Sequence, residues 1–380
     1  MKSSPQPLTG LRIIEFSGIG PGPLAGMMLA DMGADVIVID RAADVHPRNV
    51  TMACQRGKRS LAVNLKSAEG IALAWQLIES ADALIEGFRP GVMERLGFGP
   101  EAVAARNPRL VYGRITGWGQ TGPLAQAAGH DINYVALTGA LNTSRRGKEL
   151  PVLPATLVGD MGGGAMFLLF GMMCALHDAR SSGQGQVVDA AIIDGVATMG
   201  ALVQQMRAIQ YWSDDPAHNF FLNTSPFYDS FVCADGKLIT LGAIEPQFYA
   251  ELLQRLGLTD VDPRRQYDTA EWPLLKQRIA ACIAAKTRDQ WCALLEGSDV
   301  CFAPVLDFDE AAAHPHNAER GMFVEVDGKS QPAPAPRLSR TPARAPNAGA
   351  CIGQHTDDVL RELGHSADDI ARLREQKSVG

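Results

Sequence analysis

Two short stretches place titratable side chains where they could move protons. Gly129-His130-Asp131-Ile132-Asn133-Tyr134 sets a histidine among polar residues, and Val158-Gly159-Asp160-Met161-Gly162-Gly163-Gly164 sets a carboxylate among glycines. An imidazole and a carboxyl group can act as one acid/base pair near neutral pH. Glycine beside each lets a ligand come close to the backbone. The second stretch runs into the apolar segment Ala165 to Leu176, so it reads as a helix capped by Asp160 with glycine in its first turn. Each helical glycine costs about 1 kcal/mol relative to alanine, so something must approach the backbone there. Free N–H groups at a helix start would also stabilise an oxyanion. A structural reading stands beside the chemical one, because aspartate is a favoured helix cap and a Gly-His-Asp triplet alone is more often structural than catalytic. Among the other histidines, His46, His314, His316, His355 and His365 lie in polar, loop-like surroundings, where solvation accounts for them. His177 closes an apolar helix, where a cation suits the dipole, and His218 has no partner in the sequence around it.

The elements that must carry these groups follow a regular alternation. Leu11 to Phe16 reads as a buried strand, followed by the loop Gly18 to Pro23, a helix from Leu24 to Met32 and a second strand from Val36 to Ile39. Strand Leu61 to Asn64, helix Ala68 to Ser80, and strands Ala83 to Glu86 and Leu110 to Ile115 repeat the pattern. Such βαβ alternation predicts a parallel, doubly wound α/β domain with a Rossmann-like arrangement. The Gly18 loop imitates a dinucleotide fingerprint, with Asp40 about where a ribose-binding acid would sit. Its third glycine is replaced by Pro23, and Pro21 removes a backbone donor, so NAD is not expected. After Gly185 the character changes. Val187 to Arg207 has helical spacing and reads as a connecting helix. Phe227 to Val232 and Lys237 to Leu241 read as a hairpin around Ala234-Asp235-Gly236. Helices near Pro246 to Leu256 and Trp272 to Ala285 and a strand from Cys301 to Leu306 complete a smaller α+β domain. The Pro-rich stretch Gln331 to Pro346 reads as an extended connector, and Asp357 to Arg374 as a last helix. The expected division is 1–185 for the large domain, 186–224 for the connecting helix and linker, 225–325 for the small domain, and 326–380 for the connector and a C-terminal helix returning to the large domain.

Bulk properties narrow the function. A chain of 380 residues, 46% hydrophobic, favours two globular domains. A net charge of −7 argues against nucleic-acid binding. A locally basic pocket is still open to an anionic small ligand, because Arg41, Arg56, Lys58, Arg59, Lys66, Arg89 and Arg95 gather in the first hundred residues; a solvated helix face fits them equally. The seven cysteines are odd in number and form no CxxC pair, which disfavours zinc and disulfides and fits a reducing cytosol. No metal site is expected. No signal peptide or peroxisomal address is read, and Ala165 to Leu176 is too short to span a bilayer, so a cytoplasmic protein without a membrane partner is expected.

Longer strings then fit a known pattern. Leu11-Arg12-Ile13-Ile14-Glu15, Gly33-Ala34-Asp35-Val36, Glu86-Gly87-Phe88-Arg89-Pro90-Gly91, Thr116-Gly117-Trp118-Gly119-Gln120-Thr121-Gly122-Pro123, Gly185 to Ala190 and Gly242 to Tyr249 join the two stretches above. With them the chain resembles the class III CoA-transferase superfamily, and within it the α-methylacyl-CoA racemase branch, over nearly its whole length. The resemblance implies that His130 and Asp160 are the two acid/base groups and that Glu245 contacts the histidine. It also implies that Arg41, Val63, Asn64, Leu65, Lys66, Gly87, Phe88, Arg89 and Arg95 hold coenzyme A, while Gly129, Asp131, Ile132, Asn133 and Tyr134 line the thioester end. Val63 and Asn64 stand where relatives often carry other small or acidic residues. Coenzyme A would be part of the substrate, with no separate cofactor, and relatives form interlocked homodimers. The implied reaction interconverts (2R)- and (2S)-2-methylacyl-CoA through an enolate. Two alternatives stand beside it: a class III CoA-transferase using Asp160 as nucleophile, and a noncatalytic acyl-CoA binder. Asp160 carries a tension, since a helix N-terminus favours its ionised form, one half-reaction needs it protonated, and a water-poor pocket would favour that.

Overall fold

The computed structural model describes residues 6–45, 53–146 and 149–380, so His46 lies outside the described residues. Two compact units emerge. The first comprises residues 1–138, 154–199 and 321–380, and the second residues 139–153 and 200–320. The second unit therefore takes in 139–153, a stretch that the sequence reading placed in the large domain.

The first unit is built on β1 (Arg12–Phe16), α1 (Pro21–Asp31), β2 (Asp35–Arg41), β3 (Arg59–Val63), α2 (Ala68–Glu79), β4 (Ala83–Glu86), α3 (Val92–Arg95), α4 (Pro100–Arg106), β5 (Val111–Thr116), α5 (Asp131–Leu137), α6 (Met166–Ser182), β6 (Val187–Ala191) and α7 (Ile192–Met199). Its six strands run in the order β3-β2-β1-β4-β5-β6, all parallel. The doubly wound expectation holds. Alternate residues serve opposite faces of the sheet, as a two-residue period requires. Ile13, Val36, Ile85 and Val111 pack with Leu29, Leu168 and Met172, whereas Ile14, Ile37, Leu84 and Tyr112 pack with Leu73, Leu77 and Ile78. This burial on both sides explains why the strands read as continuous apolar runs.

One buried ion pair fastens α1 to the sheet. The Lys58 ammonium donates to Glu15 Oε1 and Oε2 at 2.9 and 2.7 Å and to the Pro23 carbonyl at 2.8 Å. Both side chains are essentially inaccessible. Burial pushes the Glu15 carboxyl up, and the Lys58 charge opposes it. Gly26 has no room for a side chain because the Glu15 carboxylate occupies that space.

Two expectations change here. Val187 to Arg207 is not one helix: Val187–Ala191 is the sixth strand of the sheet, and the rest divides into α7 and α8 (Ala201–Ala208). Val and Ala at its start suit either state, and pairing with β5 decides it. Helical structure also begins before Ala165, at Leu157, so the run Leu157–Ser182 is 26 residues and has the length and composition of a membrane span. One face of it lies on the sheet, with Leu168 and Met172 against Gly113 of β5 and Gly171 against Val188 of β6.

The second unit holds α8, an antiparallel sheet of β7 (Tyr228–Val232), β8 (Leu238–Gly242) and β9 (Phe302–Pro304), and the helices α9 (Pro246–Arg255), α10 (Trp272–Ile283), α11 (Arg288–Leu295), α12 (Phe308–Ala313) and α13 (Pro315–Glu319). The expected hairpin is present. Its core gathers Phe227, Tyr249, Leu252, Ile279 and Trp291. The chain then rejoins the first unit through the hairpin β10 (Phe323–Val326) and β11 (Lys329–Pro332), an extended Pro-rich stretch, and α14 (Thr356–Glu362) and α15 (Ala367–Glu375). The single C-terminal helix expected from the sequence is thus a pair, broken at Gly364 with φ of 93°. Ser378 and Gly380 continue along β3, with the Asn64 N–H donating to the Ser378 carbonyl at 2.9 Å and the Gly380 N–H to Ala62 at 3.1 Å.

Candidate active site

The sheet order reverses direction between β1 and β4, and open α/β sheets bind ligands beyond the carboxyl ends of the strands at such a point. A cleft of about 890 Å³ lies there. Phe16 and Ser17 line it after β1, Asp40 to Asp44 after β2, Val63 to Lys66 after β3, and Phe88 after β4. The predicted ligand contacts Arg41, Val63, Asn64, Leu65, Lys66 and Phe88 are therefore brought together. Gly87, Arg89 and Arg95 are not part of this wall; Arg89 and Arg95 are exposed on the loop after β4 and at the end of α3. Lys377 and Val379, which no local pattern marks, complete the wall through the pairing of the C-terminal residues with β3. Arg41, Lys66 and Lys377 make no ion pair among the described residues. The cleft thus sets Arg41, Lys66 and Lys377, with Asp40 and Asp44, beside an apolar wall of Phe16, Ile39 and Phe88, which suits a phosphorylated ligand with a flat apolar part. Asp40 accepts a hydrogen bond from Ser60 Oγ at 2.6 Å and is buried.

The two residues expected to form the acid/base pair lie beyond β5. His130 is the residue preceding α5; its N–H donates to Asn133 Oδ1 at 3.1 Å, and its carbonyl accepts the Asn133 N–H at 2.8 Å. Its ring is exposed. Glycine at 117 and 129 is required by the loop: a Cβ at Gly117 would overlap the Tyr134 ring, and one at Gly129 would stand 2.7 Å from Trp118. Trp118 meets Tyr134 edge-on at 4.7 Å, and the Tyr134 phenol donates to the Gly129 carbonyl. Asn133 and Tyr134 thus hold the histidine loop, while Ile132 is exposed.

Asp160 is not a helix cap. The helical run starts at Leu157, with Thr156 at the cap position in a left-handed conformation, and Asp160 sits inside a wide first turn where the Met161 N–H reaches back to the Thr156 carbonyl at 3.0 Å. Wide turns of this kind are frequent at functional sites. The Asp160 N–H donates to Asp131 Oδ1 at 2.8 Å. Across from it stands Gly20, the residue before α1, where a Cβ would lie 3.7 Å from Asp160 Oδ2. The loop that imitated a dinucleotide fingerprint therefore faces the carboxylate. Burial holds the Asp160 carboxyl above the usual carboxylate range, the Asp131 charge adds to this, and His130 opposes it. Burial and then the Asp160 charge push the Tyr134 phenol up, against the Arg89 guanidinium. His130, Asp131 and Tyr134 share the first turn of α5, and the bond from Asp160 to Asp131 brings Asp160 into the same neighbourhood.

The glycine triplet has a packing role. A Cβ at Gly163 would meet Val196 at 2.6 Å and the Ile192 carbonyl at 3.0 Å, and one at Gly164 would meet Ile192 at 3.1 Å. The group packed closest against Gly163 is α7, and Gly164 also faces Pro21 of α1 and Ile115 of β5.

Glu245 belongs to the second unit, where it is exposed at the N-cap of α9. Gln266 Nε2 donates to the carbonyls of Ala243 and Ile244 at 2.9 Å, and the Tyr267 phenol donates to Ile244 at 2.8 Å. These bonds fix the backbone leading into Glu245. Among the described residues no three His, Cys, Asp or Glu side chains gather as a metal site.

Comparison with known proteins identifies the family. The profile of CoA-transferase family III matches residues 8–356. The chain is 41% identical over 376 residues to the alpha-methylacyl-CoA racemase of Mus musculus, covering 98% of this chain and 97% of that one. Identity to the Homo sapiens alpha-methylacyl-CoA racemase is 39% over 374 residues, covering 98% and 97%. A crystal structure of the hypothetical protein Rv3272 from Mycobacterium tuberculosis has a TM-score of 0.79 at 26% identity, covering 94% of this chain and 100% of that one. The chain belongs to CoA-transferase family III.

Proposed function

We propose that the chain is an α-methylacyl-CoA racemase, interconverting (2R)- and (2S)-2-methylacyl-CoA through an enolate without a separate cofactor. The observation that carries this reading is the neighbourhood of His130 and Asp160, with the Asp160 carboxyl held above its ordinary range by burial and by Asp131. The neutral His130 imidazole removes the α-proton from one face, the electron pair left behind forms a double bond between the α-carbon and the carbonyl carbon, and the carbonyl π pair moves onto oxygen to give the enolate. Protonated Asp160 then returns a proton to the other face of the enolate. In the reverse direction Asp160 is the base and His130 the acid. A carboxyl group of ordinary acidity would be almost wholly ionised at neutral pH and a poor donor, so the burial of Asp160 serves this half-reaction. Coenzyme A would occupy the cleft after β1 to β4, with Arg41 and Lys66 on its phosphates. Glu245 is proposed to contact the His130 ring and raise its basicity.

The deciding experiment incubates 2-methylacyl-CoA of one configuration in deuterated water and follows deuterium uptake and inversion together. Both should proceed with the wild-type protein. In the same assay Arg41→Ala should raise KM far more than it lowers kcat. Robust CoA transfer to an added carboxylic acid without inversion would instead establish the transferase, with Asp160 as nucleophile. Neither activity with any acyl-CoA that binds would leave a binding protein.

We propose further that the chain forms an interlocked homodimer. An apolar stripe on α6 supports this: Met166, Phe170 and Met173 fall on one helix face, and Phe170 is 70% exposed. Sedimentation should give a dimer, and two differently labelled preparations should not exchange subunits without denaturant. A fully active monomer would end the proposal.

A further inference from the structure

We infer that the side chain of Asp131 is a positioning residue for the acid/base pair, tying the backbone of Asp160 to the first turn of α5 and so fixing its separation from His130. Asp131 follows His130 directly, so a single residue is covalently joined to one partner and hydrogen-bonded to the other, through Oδ1 and the Asp160 N–H at 2.8 Å. The carboxylate is 8% exposed, too buried for a solubilising surface charge. The residue before Asp160 has been shaped around it: a Cβ at Gly159 would collide with Asp131 Oδ1 and stand 3.0 Å from Val135. Glycine at 159 is therefore explained by this carboxylate, with no ligand needed.

The contact has an electrostatic consequence. The charged groups that act on Asp160 are Asp131 and His130, with the Tyr134 phenol and the Arg89 guanidinium that acts on it in the same surroundings and Gly20, the residue before α1, contributing no charge. Of these Asp131 is the one whose negative charge resists ionisation of Asp160. The same carboxylate that positions the residue therefore also favours its protonated form, which the reprotonation step uses.

The kinetic part of this inference rests on the racemase reading, and the test separates the two. Asp131→Asn keeps an oxygen acceptor and removes the charge; Asp131→Ala removes both. Because both directions run from the singly protonated pair, with the proton on Asp160 in one and on His130 in the other, the acid limb of the kcat/KM profile for inversion should move to lower pH by the same amount in both directions in Asp131→Asn. Asp131→Ala should in addition lower kcat on the order of 10²-fold, as a small misplacement of a catalytic group does. The carboxyl carbon of Asp160, labelled with ¹³C and assigned with Asp160→Asn, should titrate at lower pH in Asp131→Asn than in the wild type. That readout needs no activity. A protein without inversion would overturn the racemase reading while the titration still decides the role of Asp131. An unmoved Asp160 titration, or an unmoved acid limb with kcat kept within about twofold in Asp131→Ala, would overturn the inference.

Discussion

Alanine at His130 should abolish inversion of 2-methylacyl-CoA and leave a slow, one-sided exchange of the α-proton; alanine at Asp160 should leave exchange of the opposite enantiomer. Each base faces one side of the substrate, so either alone can remove and return a proton on its own side, provided solvent reprotonates it. Neither alone can move hydrogen from one face to the other. Losing one general acid/base costs about 10² to 10⁴ in rate, so inversion should fall by roughly 10³-fold or more in both variants. The measurement is deuterium content in each separated enantiomer after incubation, beside CoA transfer to an added carboxylate. A transferase would behave otherwise: Asp160→Ala would stop acyl transfer, and His130→Ala would matter little. Equal exchange of both enantiomers by either single variant would sink the two-base arrangement.

The largest effect on stability is expected away from the chemistry, at Lys58→Ala. The Glu15 carboxylate that Lys58 neutralises is 0% exposed and surrounded by the packing of α1 on the sheet. Stranding a buried charge by deleting its partner costs about 3–5 kcal/mol, a large part of the stability of an ordinary domain. The double variant Glu15→Leu with Lys58→Met should recover most of that loss, since a buried pair contributes little beyond what well-packed apolar groups supply. Denaturant midpoints of the two variants test this, and a wild-type midpoint for Lys58→Ala would refute it. Lys58 also holds the Pro23 carbonyl, three residues from the Gly20 that faces Asp160. The single variant should therefore lose activity before it loses its fold.

What the sequence disclosed, and what it did not, divides along a physical line. Strands β1 to β5 were legible because burial on both faces writes an apolar run, and Gly and Pro mark where each run stops. His130 and Asp160 stood out as candidates because polar residues beside glycine are conspicuous, and the structure links them through Asp131. Strand β6 was not, since Val187-Val188-Asp189-Ala190-Ala191 carries no breaker before α7 and only its neighbour β5 gives it a strand's partner. The glycines at 162–164 announced a close approach without naming the group that approaches, and Ile192 and Val196 lie some thirty residues further on. Thr156 at a left-handed φ of 61° moved the helix start four residues ahead of the expected cap. Lys377 could not be assigned to the cleft from any local pattern, because what brings it there is a pairing with residues around 63 and 64.

That pairing bears on how the protein is made. Asn64 and Lys377 are 313 positions apart, and β3 is the outer strand of its sheet. A ribosome adding about 5–20 residues per second needs roughly 15 seconds to a minute to cover that distance. Throughout that interval Leu61 and Val63, buried in the finished protein, belong to an unfinished rim whose backbone is free to pair with another nascent chain. The cleft lined by Lys377 and Val379 is completed only after the whole second unit has been synthesised. Newly made chains should therefore depend on a holding chaperone until residues 356–380 emerge and close the rim.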